Sequence, residues 1–118
     1  MADLMLYGLK SCDTCRKSLK TLEAGGRDAA FVDLRADDDL AQRLPGWLDA
    51  AGAERLINTR STSWRGLSEA ERARAETDPA GLLSDHPALI KRPVIETADG
   101  AVHVGWTAEV RAALGVSG

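Results

Sequence analysis

The chain opens on an apolar run, Leu4-Met5-Leu6-Tyr7, closed by Gly8, which suits a buried strand. The pattern then lengthens. Cys15, Leu19 and Leu22 fall at i, i+4 and i+7, one face of a helix over 13–24. Gly25-Gly26 supplies its stop signal. The run 29–34, "AAFVDL", reads as a second strand. Strand, helix, strand at this spacing is a βαβ unit, whose strands pair in parallel across the crossover helix.

The middle of the chain is helical in pattern. Leu40, Leu44, Trp47, Leu48 and Ala51 share a face, and Pro45 inside that run predicts a helix that kinks or restarts. "LINTRSTSWRGL", 56–67, reads as a loop. "SEAE", 68–71, is a capping box with Ser68 at the N-cap and Glu71 at N3, so a helix follows to about Glu76. Asp78-Pro79 repeats the logic with proline at the first helical position, and this helix ends near His86-Pro87. Beyond it, "PVIET" (93–97) and "AVHVGW" (101–106) flank Ala98-Asp99-Gly100, a hairpin signal. Thr107 then caps a final helix with Val110, Ala113 and Leu114 turned inward.

Strand–helix–strand, a helical block, then strand–strand–helix predicts an α/β fold: a four-stranded mixed sheet with a helical insert between the second and third strands. At 118 residues the chain can bury one core, and a single domain over 1–118 is expected, with the insert at about 38–87. The net charge of -3 disfavours a general nucleic-acid or membrane-surface role, so no direct nucleic-acid or membrane binding is expected. There is no apolar run long enough to span a membrane and no signal-peptide pattern at the start, so a cytoplasmic monomer is expected.

The candidate chemistry lies in "KSCDTCRK", residues 10–17, which holds both cysteines, Cys12 and Cys15. In a reducing compartment such a pair is unlike a structural staple. A zinc site needs two more ligands, and the two histidines, His86 and His103, lie far off in unrelated elements, so no metal is expected. Cys12 sits at the start of the predicted helix, where free N–H groups and the helix dipole favour a thiolate. Lys10, Arg16 and Lys17 add positive charge there and Asp13 opposes it. Cys15 follows one turn inward beside Leu19, either as a sheltered resolving thiol or as a small core residue. A CxxC directly after the first strand of this element order points to a thioredoxin-like fold. In such a fold a proline, often cis, closes the loop into the third strand; here that is Pro93, which brings Arg92 near Cys12. Arg60 and Arg92 stand in loops; a guanidinium near Cys12 can fork onto an oxyanion or carboxylate and favour the thiolate, or both arginines can simply be solvated. Trp47 falls on an apolar helical face, while Trp64 and Trp106 flank the arginine loops.

"YGLKSCDTCRK", "LINTRSTSW", "HPALIKRPV" and "VGWTAEVRAAL", in this order, resemble the ArsC/Spx family across nearly the whole chain, and most of all its YffB-type branch. The resemblance implies a thiol-dependent oxidoreductase with Cys12 as nucleophile and Arg60 and Arg92 cradling an anion. Cys15 would complete the pair. Lys10, Ser11, Asp13, Thr14, Pro93 and Trp106 would line the substrate. It also implies no bound cofactor, with glutathione as reducing co-substrate and glutathione or glutaredoxin as partner. Two further readings come with it: a redox-switched Spx-like regulator of RNA polymerase, and arsenate reduction itself. Arsenate reductases of this kind carry a third arginine after the last strands, where this chain reads "VGWTAEV" and Arg111 lies on the following helix.

Overall fold

The computed structural model describes residues 3–116. The chain divides into two compact units, Met1–Ala36 with Arg92–Gly118, and Asp37–Lys91.

The first unit is built on a four-stranded sheet in the order β2-β1-β3-β4. Strand β1 (Leu4–Gly8) is buried at Leu4, Leu6 and Tyr7. It pairs in parallel with β2 (Ala29–Asp33) through the crossover helix α1 (Asp13–Ala24). On its other side it pairs antiparallel with β3 (Val94–Thr97), with Leu6 opposite Ile95, and β3 pairs antiparallel with β4 (Val102–Val104). The hairpin between them turns at Gly100, whose φ of 91° needs glycine. Strand β4 is shorter than the apolar run 101–106 suggests. Gly105 still meets its register partner, donating its N–H to the Pro93 carbonyl at 2.8 Å, but Pro93 has no N–H to return and Gly105 takes φ 85°, so the ladder ends there. Leu4, Leu6, Cys15, Leu22, Ile95, Val110 and Leu114 form one apolar cluster. A mixed four-stranded sheet with this connectivity and its helices is the thioredoxin-like fold.

The last helix, α7 (Ala108–Ala113), starts at Thr107, whose hydroxyl accepts the Val110 N–H at 3.2 Å. Val110 and Leu114, four apart, make its buried stripe. Ala113 is exposed, against the expectation that it faces inward, because a helix this short buries only that one stripe.

The second unit, which the chain enters after β2 and leaves before β3, is helical. Its first helix, α2 (Leu40–Ala51), runs unbroken through Pro45. The helix does not restart at the proline, because Leu40, Leu44 and Trp47 anchor it on both sides. Pro45 and Ala41, whose carbonyl the missing N–H would have served, are both exposed, so water can satisfy that carbonyl. Helix α3 (Ala53–Leu56) leads into Ile57, which bridges Ile90 antiparallel. The segment read as loop holds a further short helix, α4 (Thr62–Arg65), because the Ser61 hydroxyl accepts the Trp64 N–H at 3.1 Å and caps it.

Helix α5 (Glu69–Thr77) uses half of its predicted capping box. Ser68 accepts from the Glu71 N–H at 3.2 Å, while the Glu71 carboxylate meets His86 Nε2 at 2.9 Å and Arg74 at 3.5 Å. Asp78 caps α6 (Pro79–Asp85), which packs on α2 through buried Leu82 and Leu83. A single 3-10 turn over Pro87–Leu89 ends the unit.

Candidate active site

Strand β1 delivers the chain to the site. Leu9, Lys10 and Ser11 make the turn, and the Cys12 N–H donates to the Leu9 carbonyl at 3.0 Å. Cys12 is the N-cap residue of α1, in extended backbone geometry. Its side chain makes no regular capping hydrogen bond, and of the helix's first N–H groups it is that of Cys15 that acts on the sulfur.

The two sulfurs differ because their surroundings do. Burial raises the Cys12 thiol, but three groups outweigh it and hold it below its ordinary value. These are the Cys15 backbone N–H, the Cys15 thiol, and the Arg92 guanidinium, which both hydrogen-bonds to the sulfur and attracts its charge. Cys15 is wholly buried. Burial pushes its thiol up to about 12; the Leu9 backbone N–H and Arg92 pull the other way, and the nearby Cys12 sulfur adds to the rise. Cys12 is therefore the sulfur available as a thiolate nucleophile, and Cys15 stays a protonated donor beneath it.

Two further features of the first unit lie beside this pair. A side chain at Gly8 would collide with Cys15 Sγ, so the bare glycine lets the buried sulfur seat against β1. Ser18, also wholly buried one turn below Thr14, satisfies its hydroxyl on the Thr14 carbonyl at 2.6 Å. Neither residue stands out in the sequence as part of a site. A glycine ending an apolar run before a CxxC, and a serine three residues past Cys15, are the signals that carry them.

The structure brings Arg92 and Pro93 to Cys12, with the Arg92–Pro93 peptide cis. Lys10 is expected to supply positive charge to the sulfur. It is exposed, and the charge that acts on Cys12 is Arg92's. Ser11 and Thr14 are exposed around the helix start, and Asp13 is taken up by a salt bridge to Arg16. Trp106 is half-buried and packs on the same apolar cluster as Cys12. Arg111 donates to the Trp106 carbonyl at 2.9 Å, so this arginine is tied to the backbone ahead of its own helix.

Arg60 belongs to the second unit. It is exposed, in a turn set by Asn58: the Asn58 side chain accepts the Arg60 N–H at 3.1 Å and its carbonyl accepts the Ser61 hydroxyl at 2.8 Å. Trp64 lies in the same unit, with the Arg72 guanidinium 6.0 Å from its ring centre. No group of three or more metal-ligating side chains exists among the described residues. No helix of the described residues is long and apolar enough to cross a membrane.

A model of the ArsC family matches residues 7–114. The chain belongs to the ArsC family. It is 35% identical over 104 residues to an uncharacterised protein of Haemophilus influenzae, covering 87% of this chain and 90% of that one. A solved structure of the YFFB (PA3664) protein superposes with a TM-score of 0.84 at 32% identity, over 94% of this chain and 97% of that one. An arsenate reductase (ArsC) related protein from Brucella melitensis superposes with a TM-score of 0.75 at 33% identity, over 95% and 93% of the two chains. At family level this ArsC-family chain has the arsenate-reductase-like fold of a thiol-dependent oxidoreductase.

Proposed function

We propose that this protein is a glutathione-coupled thiol reductase of the YffB type that works through Cys12 alone. The observation that carries the reading is the opposed tuning of the two sulfurs: Cys12 lowered by Cys15 and Arg92, Cys15 buried and raised. The Cys12 thiolate attacks the glutathionyl sulfur of a mixed disulfide R–S–S–G. The Cys12–S–S–G bond forms, the RS–SG disulfide bond breaks, and the departing RS⁻ thiolate takes a proton. A second glutathione thiolate then attacks the Cys12-bound glutathionyl sulfur. Glutathione disulfide leaves and the Cys12 thiolate returns. Glutaredoxin can replace this last thiol. Arg92 steadies the thiolate before attack and after release.

Cys15 serves as the hydrogen-bond donor to Cys12 rather than the resolving thiol, since a thiol this sheltered and this hard to ionise is a slow attacker. Arsenate fits less well, because Arg111 spends an N–H of its guanidinium on the Trp106 carbonyl, leaving it less free to fork onto an oxyanion.

The test is mass spectrometry after oxidised glutathione, together with turnover on a glutathionylated peptide. A persistent single glutathione adduct on Cys12, turnover that survives Cys15→Ala, and none in Cys12→Ser are expected. Rapid conversion of the adduct to a Cys12–Cys15 disulfide would overturn the single-thiol cycle.

A further inference from the structure

Along helix α1, Thr14, Lys17, Lys20 and Thr21 line with Trp106 an open surface groove of about 540 Å³. The volume is in the range of small-molecule sites, roughly 300–1,000 Å³. Lys17 and Lys20 stand one turn apart on one helix face, so both ammonium groups reach the same groove. Both lysines are exposed, and neither is in a salt bridge among the described residues. Asp13, the acid nearest the helix start, is occupied by Arg16. In a chain of net charge -3, the groove is therefore a local cationic site with two hydroxyls and an indole face. It begins at Thr14, two residues past the nucleophile, and its Trp106 wall rests on the same apolar cluster as Cys12.

Lysines placed as a pair call for a ligand with two anionic groups, and the indole for a ligand with some apolar length between them. We propose that this groove binds the carboxylates of a small thiol or disulfide peptide, holding it along α1 while its sulfur meets Cys12. The inference rests on the glutathione-coupled reading and assigns the peptide part of that substrate to residues that the reading itself does not use.

The test separates binding from chemistry. S-methylglutathione carries both carboxylates but cannot react. Its addition to the full chain is expected to move the Trp106 indole N–H resonance. Lys17→Gln/Lys20→Gln is expected to weaken that binding about tenfold, while Lys17→Arg/Lys20→Arg retains it. Raised salt is expected to weaken it in wild type. In the same wild-type protein, added salt is expected to slow Cys12 modification by glutathione disulfide and not by neutral bis(2-hydroxyethyl) disulfide. An unmoved Trp106 signal, or equal affinity in the Gln variant, overturns the proposal. A Cys12 inert to both disulfides overturns the reductase reading instead, and leaves the S-methylglutathione result to decide the groove.

Discussion

Gly8→Ala is the sharpest structural test of how the site is built. Gly8 closes β1, and its backbone holds no positive φ, so nothing in the main chain forbids alanine. The obstacle is Cys15: the new methyl would overlap its sulfur and stand 3.1 Å from its Cβ. Cys15 cannot withdraw, being wholly buried in the cluster with Leu6 and Leu22. Overpacking of this kind costs about 1–3 kcal/mol. Removing glycine from the unfolded chain returns about 0.4–1 kcal/mol. A net loss of about 1–2 kcal/mol is expected, and for 118 residues each kcal/mol corresponds to about 4 °C in Tm. Thermal unfolding should therefore fall by about 4–8 °C. Cys15→Ala removes the sulfur and should be partly compensatory, with a coupling of about 1 kcal/mol in the double-mutant cycle. The same displacement moves the Cys15 N–H and thiol off Cys12, so alkylation of Cys12 by iodoacetamide at neutral pH should slow. A Tm within 1 °C of wild type by this scale, or strictly additive substitutions, would refute the close packing of β1 on Cys15.

Arg92→Met removes both the hydrogen bond and the positive charge from Cys12, so the pH profile of iodoacetamide alkylation should move to higher pH, and an unmoved profile would sink the role of Arg92. Cys15→Ser, which keeps a donor, should leave that profile closer to wild type than Cys15→Ala does. Because the folded Cys15 thiol is raised to about 12 from an ordinary 9.0, its contribution to stability is complete below pH 9 or so and is lost as pH rises toward 12. Cys12, lowered on folding, adds stability above its unfolded value that is lost as pH falls through its folded one. Urea unfolding of wild type against Cys15→Ala above pH 9 should show the gap between them closing, and a constant gap would contradict the burial. Ser61→Ala should cost about 1 kcal/mol by removing the cap of α4, measured by urea unfolding.

The fold was legible where one physical signal dominates a segment. The β1 run, the i, i+4, i+7 face of α1, the Asp78-Pro79 start and the Asp99-Gly100 turn each encode their element locally, and each appears where the pattern puts it. The misreadings share a cause, in that tertiary surroundings changed the cost of a local feature. Pro45 reads as a break only if its helix has nothing else holding it, and Leu44 and Trp47 hold it. Ser61 reads as loop polarity until its hydroxyl is seen to serve two backbone groups, the Trp64 N–H and the Asn58 carbonyl. The last apolar run overstates β4 because residue type says nothing of the backbone turn that Gly105 makes.

For the site, the sequence separates the two cysteines by their place in the helix and names two kinds of charge for Cys12, Lys10 beside it in the chain and Arg92 brought by the fold; in the structure it is Arg92 that acts on the sulfur. Position in a helix is a one-dimensional fact, so the exposed N-cap and the inward third residue can be read from spacing. What stabilises a thiolate is three-dimensional. Lys10 is two residues from Cys12 in the chain but points to water, where its charge is screened. Arg92 is eighty residues away and hydrogen-bonds to the sulfur, because β3 pairs with β1 and carries the residue just before it to the end of the strand where Cys12 begins. The sheet register that places Val94 opposite Tyr7 is thus also what sets the nucleophile. On this argument a change that disturbs the β1–β3 pairing should act on Cys12 reactivity before it acts on anything else in the site. Removing the charge of Lys10 should hardly be felt there.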